Sequence, residues 1–170
     1  MSVYKPCDIR GSVQQLSEGL YERWGAILAA PLPAGSIVVV GGDVRPSSPG
    51  FRAAFLTGVA RHPVTVHDLG TVPTPMVYFA QRHLGASLAA VVTASHSPPA
   101  INGLKWVVHG LPPLEVDVQQ LQEDTESGDA GHPTAALSPP VPKDIEPEYR
   151  DWLQAKQGDP GAGLAVIVDP

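Results

Sequence analysis

Cysteine, charge of one sign and long apolar runs are what this 170-residue sequence has least of. Its single cysteine, Cys7, excludes an internal disulfide and fits a reducing compartment, and no neighbouring residue marks it as an activated thiol. Eleven Lys and Arg stand against seventeen Asp and Glu, for a net charge of -6. They form no basic cluster, so nothing here would neutralise a phosphate backbone or an anionic bilayer. Nucleic acid and membrane are therefore not expected partners. The longest apolar run, Leu88 to Val92 with its flanks, falls far short of the roughly 20 residues a membrane span needs. The first residues carry no apolar signal segment, and a cytoplasmic protein is the expectation. The six histidines, His62, His67, His83, His96, His109 and His132, include no i, i+4 pair on one helix face and no cysteine joins them, so no zinc-type site is spaced out in the sequence.

Hydrophobic residues make up 43% of the chain, enough for one ordinary core. Ser12 and Gln15 read as a capping box opening a helix whose apolar Val13, Leu16, Leu20, Trp24, Ile27 and Leu28 run at helical spacing to about Ala30. Pro31 and Pro33 stop it. Ile37 to Val40 is a continuous β-branched run, the mark of a strand buried on both faces. Ser48 as cap and Pro49 as first residue open a second helix striped by Phe51, Phe55 and Val59. A strand over 64–68 and a helix from Thr74 and Pro75 to about Leu84, stopped by Gly85, follow. Then come a strand over 88–92, a loop over 93–102 and a strand over 103–109. A helix over about 114–126 uses Leu114, Val118 and Leu121.

Residues 128–143, rich in Pro, Gly, Ala and Ser, read as a surface loop. Asp144 caps a last helix carrying Tyr149, Trp152 and Leu153. Trp24 and Trp152 are expected in the core, and Trp106 in the core or in a cleft wall. Residues 157–163 read as a linker, and 164–168 as a new strand without partners in this chain. The alternation predicts a three-layer α/β/α domain over residues 1–156 with a mixed, about four-stranded sheet, followed by the first strand of a truncated second domain over 164–170.

Ligands in open α/β sheets bind in the crevice outside the carboxyl ends of the strands. Two loops there are unusual. The first, Gly41-Gly42-Asp43-Val44-Arg45-Pro46-Ser47-Ser48, feeds a helix N-terminus able to hold an anion. It lacks the glycine patterns of nucleotide sites, and a strand-to-helix turn with Asp43 and Arg45 paired for structure is its simpler reading. The second runs from Thr93 to Lys105. Its consecutive prolines, Pro98 and Pro99, fix the backbone and present the preceding hydroxyls rigidly. On pattern alone Ser95 is either a nucleophile or phosphoryl carrier, or a solvated loop serine. It is not in a G-x-S-x-G elbow, and the ring of adjacent His96 need not face its hydroxyl as a triad base would.

Thr93-Ala94-Ser95-His96-Ser97-Pro98-Pro99 resembles the phosphoserine loop of the α-D-phosphohexomutases, usually T-A-S-H-N-P. Four more stretches resemble the same superfamily in the same order: Asp8-Ile9-Arg10-Gly11, Gly-x-Asp-x-Arg at 41–45, Asp68-Leu69-Gly70 with Pro73-Thr74-Pro75, and Val166 to Pro170. Asn102-Gly103-Leu104-Lys105 also matches. The resemblance implies a phosphomannomutase/phosphoglucomutase first domain, a phosphoserine-dependent isomerase of hexose 1- and 6-phosphates working through a bisphosphate intermediate. It implies Ser95 as phosphoryl carrier, His96 and Lys105 beside the phosphoryl group, each as proton handler or charge stabiliser, and Arg10 as a brace for the transferring phosphate. It further implies Mg²⁺, held by the Ser95 phosphate together with aspartates of a D-G-D-x-D-R loop that this sequence does not contain. Domains II to IV would be the partners of this one, and the 170 residues alone would be inactive. Ser97 replaces the usual Asn, Cys7 stands where an aromatic is common, and Gly42 stands where many members have Arg. A non-catalytic phosphosugar-binding module and a nucleotide-binding module at the Gly41-Gly42 turn are the competing readings.

Overall fold

A computed structural model of the chain describes residues 2–128, 139–158, 161 and 163–167. Ten residues of the expected loop over 128–143, part of the expected linker, and 168–170 lie outside them.

Among the described residues six strands form one mixed sheet in the order β1-β5-β4-β2-β3-β6. They are β1 (Ile9–Ser12), β2 (Ile37–Gly42), β3 (Thr65–Thr71), β4 (Leu88–Val92), β5 (Ile101–Val108) and β6 (Val141–Pro142). Five helices accompany them: α1 (Glu18–Ala29), α2 (Ser48–Val59), α3 (Thr74–Leu84), α4 (Glu115–Ser127) and α5 (Glu146–Gln157). Strands β4 and β2, β2 and β3, and β3 and β6 pair in parallel, whereas β5 runs antiparallel to both β4 and β1. The chain makes that reversal because a loop, not a crossover helix, joins β4 to β5.

The period of two along the central strands builds the three layers. Val38 and Val40 on β2, with Leu88, Ala90 and Val92 on β4, face one core cluster with Tyr21, Trp24, Phe51 and Phe55. Val39, Ala89 and Val91 face the other, with Leu69, Val77 and Ala80. Helices α1, α2 and α4 therefore cover one face, and α3 and α5 the other. The expected α/β/α class stands, with a mixed sheet of six strands where about four were expected. The two additions, β1 and β6, are edge strands of four and two residues without a β-branched apolar run. An edge needs a ladder on one side only, so little in the sequence announces it.

Other expectations are corrected. Helix α1 starts at Glu18 and not near Ser12, with Ser17 as N-cap accepting the Leu20 N–H at 3.2 Å. Ser12 and Gln15 do pair, through the Ser12 N–H and hydroxyl to Gln15 Oε1, but that pairing closes the turn after β1. Ser48 is the first residue of α2, and its hydroxyl donates to Asp43 instead of capping. Leu114 is exposed at the start of α4, where its N–H is taken by Asp117. Trp24 and Trp106 are core residues, but Trp152 is 44% exposed and packs on the rim against Phe79 and Tyr149. Residues 164–167, expected as a strand without partners in this chain, are exposed and pair with no strand among the described residues.

One close approach fixes the α1–α2 layer. A Cβ on Gly58 would fall 1.9 Å from the Glu22 carbonyl oxygen. Alanine in a helix interior gains about 1 kcal/mol over glycine. Overpacking against backbone costs about 2–3 kcal/mol, so the steric term wins. Gly58→Ala is expected to lower the melting temperature by about 3–8 °C. Gly19→Ala, on the exposed start of the same layer, should leave it unchanged or raise it slightly. Circular dichroism melts of the two variants check this; equal melting temperatures would contradict it.

Candidate active site

The carboxyl ends of β2, β3 and β4 point the same way, and the loops that leave them enclose a cleft of about 750 Å³. Asp43 to Pro46 follow β2; Pro73, Thr74, Pro75 and Tyr78 follow β3; Thr93, Ser95, His96, Ser97 and Pro99 follow β4; and Lys105 enters from β5. Burial raises the Tyr78 phenol pKa, which keeps its O–H protonated on the cleft wall.

Ser95 is exposed at the centre of its loop with φ of 57°, in the left-handed region that costs a residue with a Cβ. Its N–H donates to Thr93 Oγ1 at 3.0 Å. Its hydroxyl lies 3.2 Å from His96 Nδ1. The adjacent ring thus does face the hydroxyl, because the left-handed turn at Ser95 brings consecutive side chains to the same mouth.

The loop is tied to its neighbour by polar contacts that the pattern of residues did not announce. Arg45 donates from Nη2 to the Ser95 and Ser97 carbonyls at 3.0 and 2.6 Å, and from Nη1 to those of Pro98 and Ile101 at 2.7 and 3.1 Å. Its Nε donates to Asp43 at 2.9 Å. Buried Asn102 donates to the Ser47 and Ser48 hydroxyls at 2.7 and 3.1 Å and accepts the Gly103 N–H at 2.8 Å. Asp43 and Arg45 are thus paired, as the simpler reading of this turn expects. Burial acts to raise the Asp43 pKa, but hydrogen bonds from Ser48, Thr93 and the Arg45 N–H, with the Arg45 charge, outweigh it and hold the carboxyl below its ordinary value.

The second group of charges centres on Asp8. Arg10 Nη2 donates to Asp8 at 2.6 Å, and Lys105 Nζ lies 3.6 Å from the same carboxylate oxygen. Strand register explains the meeting: Arg10 pairs with Gly103 and Ile9 with Leu104 across β1 and β5. A Cβ on Gly103 would lie 2.0 Å from the Ile9 carbonyl oxygen, so only glycine lets β1 approach this closely. Ser95, His96 and Lys105 share the cleft. Arg10 is not among its lining residues and reaches it through Asp8, leaving its buried Nε without a partner. The sequence pattern assigns Asp8 no role beyond its place in the Asp8-Ile9-Arg10-Gly11 stretch. Its i, i+2 spacing to Arg10 on a strand was the missed signal, since β1 itself was missed.

A family model described as phosphoglucomutase/phosphomannomutase, alpha/beta/alpha domain I, matches residues 3–132. The chain belongs to the phosphoglucomutase/phosphomannomutase family. Among relatives, a protein named phosphohexose mutases from Xanthomonas campestris pv. campestris is 40% identical, over 98% of this chain and 40% of its own length. A phosphomannomutase from Salmonella typhimurium is 35% identical, over 88% of this chain and 32% of its own. The crystal structure of a phosphoglucomutase/phosphomannomutase family protein from Burkholderia thailandensis superposes with a TM-score of 0.80 at 27% identity, over 90% of this chain and 35% of that one. The chain therefore spans about a third to two fifths of the length of these relatives.

The linkage of Asp43 to folding follows from its depressed pKa. A carboxylate held below its ordinary value stabilises the native state above that value, near 3.8, and loses the contribution as pH falls through the native pKa. The stability advantage of the parent chain over Asp43→Asn should be constant near neutrality and shrink below about pH 4. Urea denaturation of both proteins along a pH series checks this, and a difference that does not change with pH would contradict it.

Proposed function

We propose that this chain is the serine-bearing domain of a phosphohexomutase, and that Ser95 carries a phosphoryl group between the oxygens of a hexose phosphate. The observation that carries the reading is the Ser95 hydroxyl, exposed in a cleft, with His96 Nδ1 at 3.2 Å and Lys105 lining the same cleft, in a chain of this family. On this reading residues 1–156 are the first domain, 157–163 a linker and 164–170 the opening of a second domain. Domains II to IV of a longer chain would then supply sugar recognition, and the 170 residues alone would turn over negligibly.

In the transfer, the Oγ–P bond of phosphorylated Ser95 breaks as a sugar hydroxyl oxygen bonds to phosphorus. The sugar hydroxyl gives up its proton and Ser95 Oγ takes one. His96, beside Oγ, is the group in reach to hand that proton on. Charge spreads over the phosphoryl oxygens during the transfer, so fixed cations do most of the stabilising. Lys105 supplies one from the cleft wall. Arg10 acts behind it: by sharing Asp8 it sets where the ammonium stands. Among the described residues no group of three or more His, Cys, Asp or Glu side chains is placed to hold a metal ion. On this reading a phosphoryl group on Ser95 would hold Mg²⁺ together with carboxylates of the further domains. No helix among the described residues is long and apolar enough to cross a membrane.

Intact-mass measurement tests the reading. The full-length protein, isolated from cells or incubated with a hexose 1,6-bisphosphate, should gain the mass of one phosphoryl group, mapped to Ser95 by fragmentation and absent from Ser95→Ala. An unmodified parent protein, or a phosphoryl group that persists in Ser95→Ala, would overturn it.

A further inference from the structure

We infer that Arg45 is the positioning residue of the Ser95 loop: it holds Ser95 in its left-handed conformation and does not itself bind phosphate. A guanidinium has five N–H donors. Here all five are used, one on Asp43 and four on the carbonyls of Ser95, Ser97, Pro98 and Ile101. No donor remains for a ligand, although Arg45 lines the cleft and its side chain is only 10% exposed. An arginine in a cleft that receives phosphate is ordinarily read as an anion clamp. The saturation of its donors assigns this one a different task.

The need for such a group follows from the loop. Ser95 sits at φ of 57° without the freedom of glycine, and a residue in that region persists only where its surroundings over-determine it. Pro98 and Pro99 stiffen the exit of the loop but donate no N–H to pin it. The constraint has to come from outside, and Arg45 supplies it by drawing four carbonyl oxygens toward one charge. Turning those oxygens inward also removes their negative ends from the mouth of the cleft. The His96 backbone N–H makes no hydrogen bond among the described residues. The loop thus presents the Ser95 hydroxyl outward and turns four of its acceptors toward Arg45. Lysine cannot substitute, because three donors on one nitrogen do not span four carbonyls and a carboxylate.

The consequence for phosphoryl transfer rests on Ser95 being the carrier, so the experiment separates the two. Amide hydrogen exchange of the 170-residue chain is compared for the parent, Arg45→Lys, Ser95→Gly and the double variant. Arg45→Lys keeps the charge beside Asp43 and should stay folded, with the β2 amides of Val38 to Val40 exchanging as in the parent. The Ser97 and Ile101 amides, each hydrogen-bonded within the loop, should exchange about tenfold faster, the factor for one lost charge-assisted hydrogen bond. In the Ser95→Gly background, where the left-handed turn costs little, the acceleration should shrink to about twofold or less. Equal acceleration in both backgrounds, unchanged loop amides, or acceleration of loop and strand together would overturn the inference. Phosphoryl uptake from a hexose 1,6-bisphosphate by the full-length protein, followed by mass, gives the second arm. Slower uptake by Arg45→Lys supports the catalytic consequence, and equal rates overturn it. A parent chain that takes up no phosphoryl group counts against the carrier reading, and the exchange cycle then decides the role of Arg45 alone.

Discussion

One guanidinium, on a side chain only 10% exposed, joins the two loops from which the cleft is made, and the rest of the site depends on that junction. Arg45 leaves the loop after β2 and binds the backbone of the loop after β4, while Asp43 beneath it is bound in turn by Ser48. Asn102 makes a second tie between the same loops through Ser47 and Ser48. A loop that exposes a hydroxyl at a positive φ gains nothing from burial at that point. Its order has to be imported from neighbours by hydrogen bonds, and hydrogen bonds to a charged group are the strong kind. The parallel strands fix where those neighbours stand, because β2 and β4 are adjacent and in register through Gly42 and Val92.

The cations of the site are handled in a similar way. Asp8 takes both Arg10 and Lys105, at a part-exposed position where ion pairs contribute little to stability. The contribution of this group is orientation. Lys105 is kept at the cleft wall by a carboxylate on the neighbouring strand, and that strand can lie so close only because residue 103 has no side chain. The motifs at Asp8 to Arg10, Gly41 to Arg45 and Asn102 to Lys105 are far apart in the chain. Each turns out to be one half of a contact between loops or edge strands.

Much of this architecture was legible in the residues, and what was hidden was hidden for definite reasons. Buried strands such as Ile37 to Val40 and helices such as α3, with Gly85 as its left-handed stop at φ of 66°, follow from local signals strong enough to read. The edge strand β1 was not legible, since four residues with a single apolar side chain, Ile9, match no period. Its loss carried with it the bridging role of Asp8. Helix α1 was begun too early because Ser12 and Gln15 do make a capping-type pair, and a pair of that kind closes turns as well as helices. Trp152 lies on a helix stripe, but α5 packs at the margin of the layer and leaves it at the rim. At the site, Ser95, His96 and Lys105 could be named from sequence through a resemblance; Arg45 could be paired with Asp43. That its remaining donors would all turn to backbone carbonyls was beyond reach, because carbonyl direction is a property of the folded loop and is written in no residue type.

The central claim is that Ser95 is held out into the cleft on a left-handed turn, with its hydroxyl against the His96 ring. Solution NMR of the chain tests it most directly, through the backbone φ of Ser95 from its three-bond amide coupling and Cα and Cβ shifts, and through cross-relaxation between the Ser95 Hβ protons and the His96 ring. The account predicts a single positive φ with a clear contact to the ring. A negative or averaged φ, with no such contact, would contradict it.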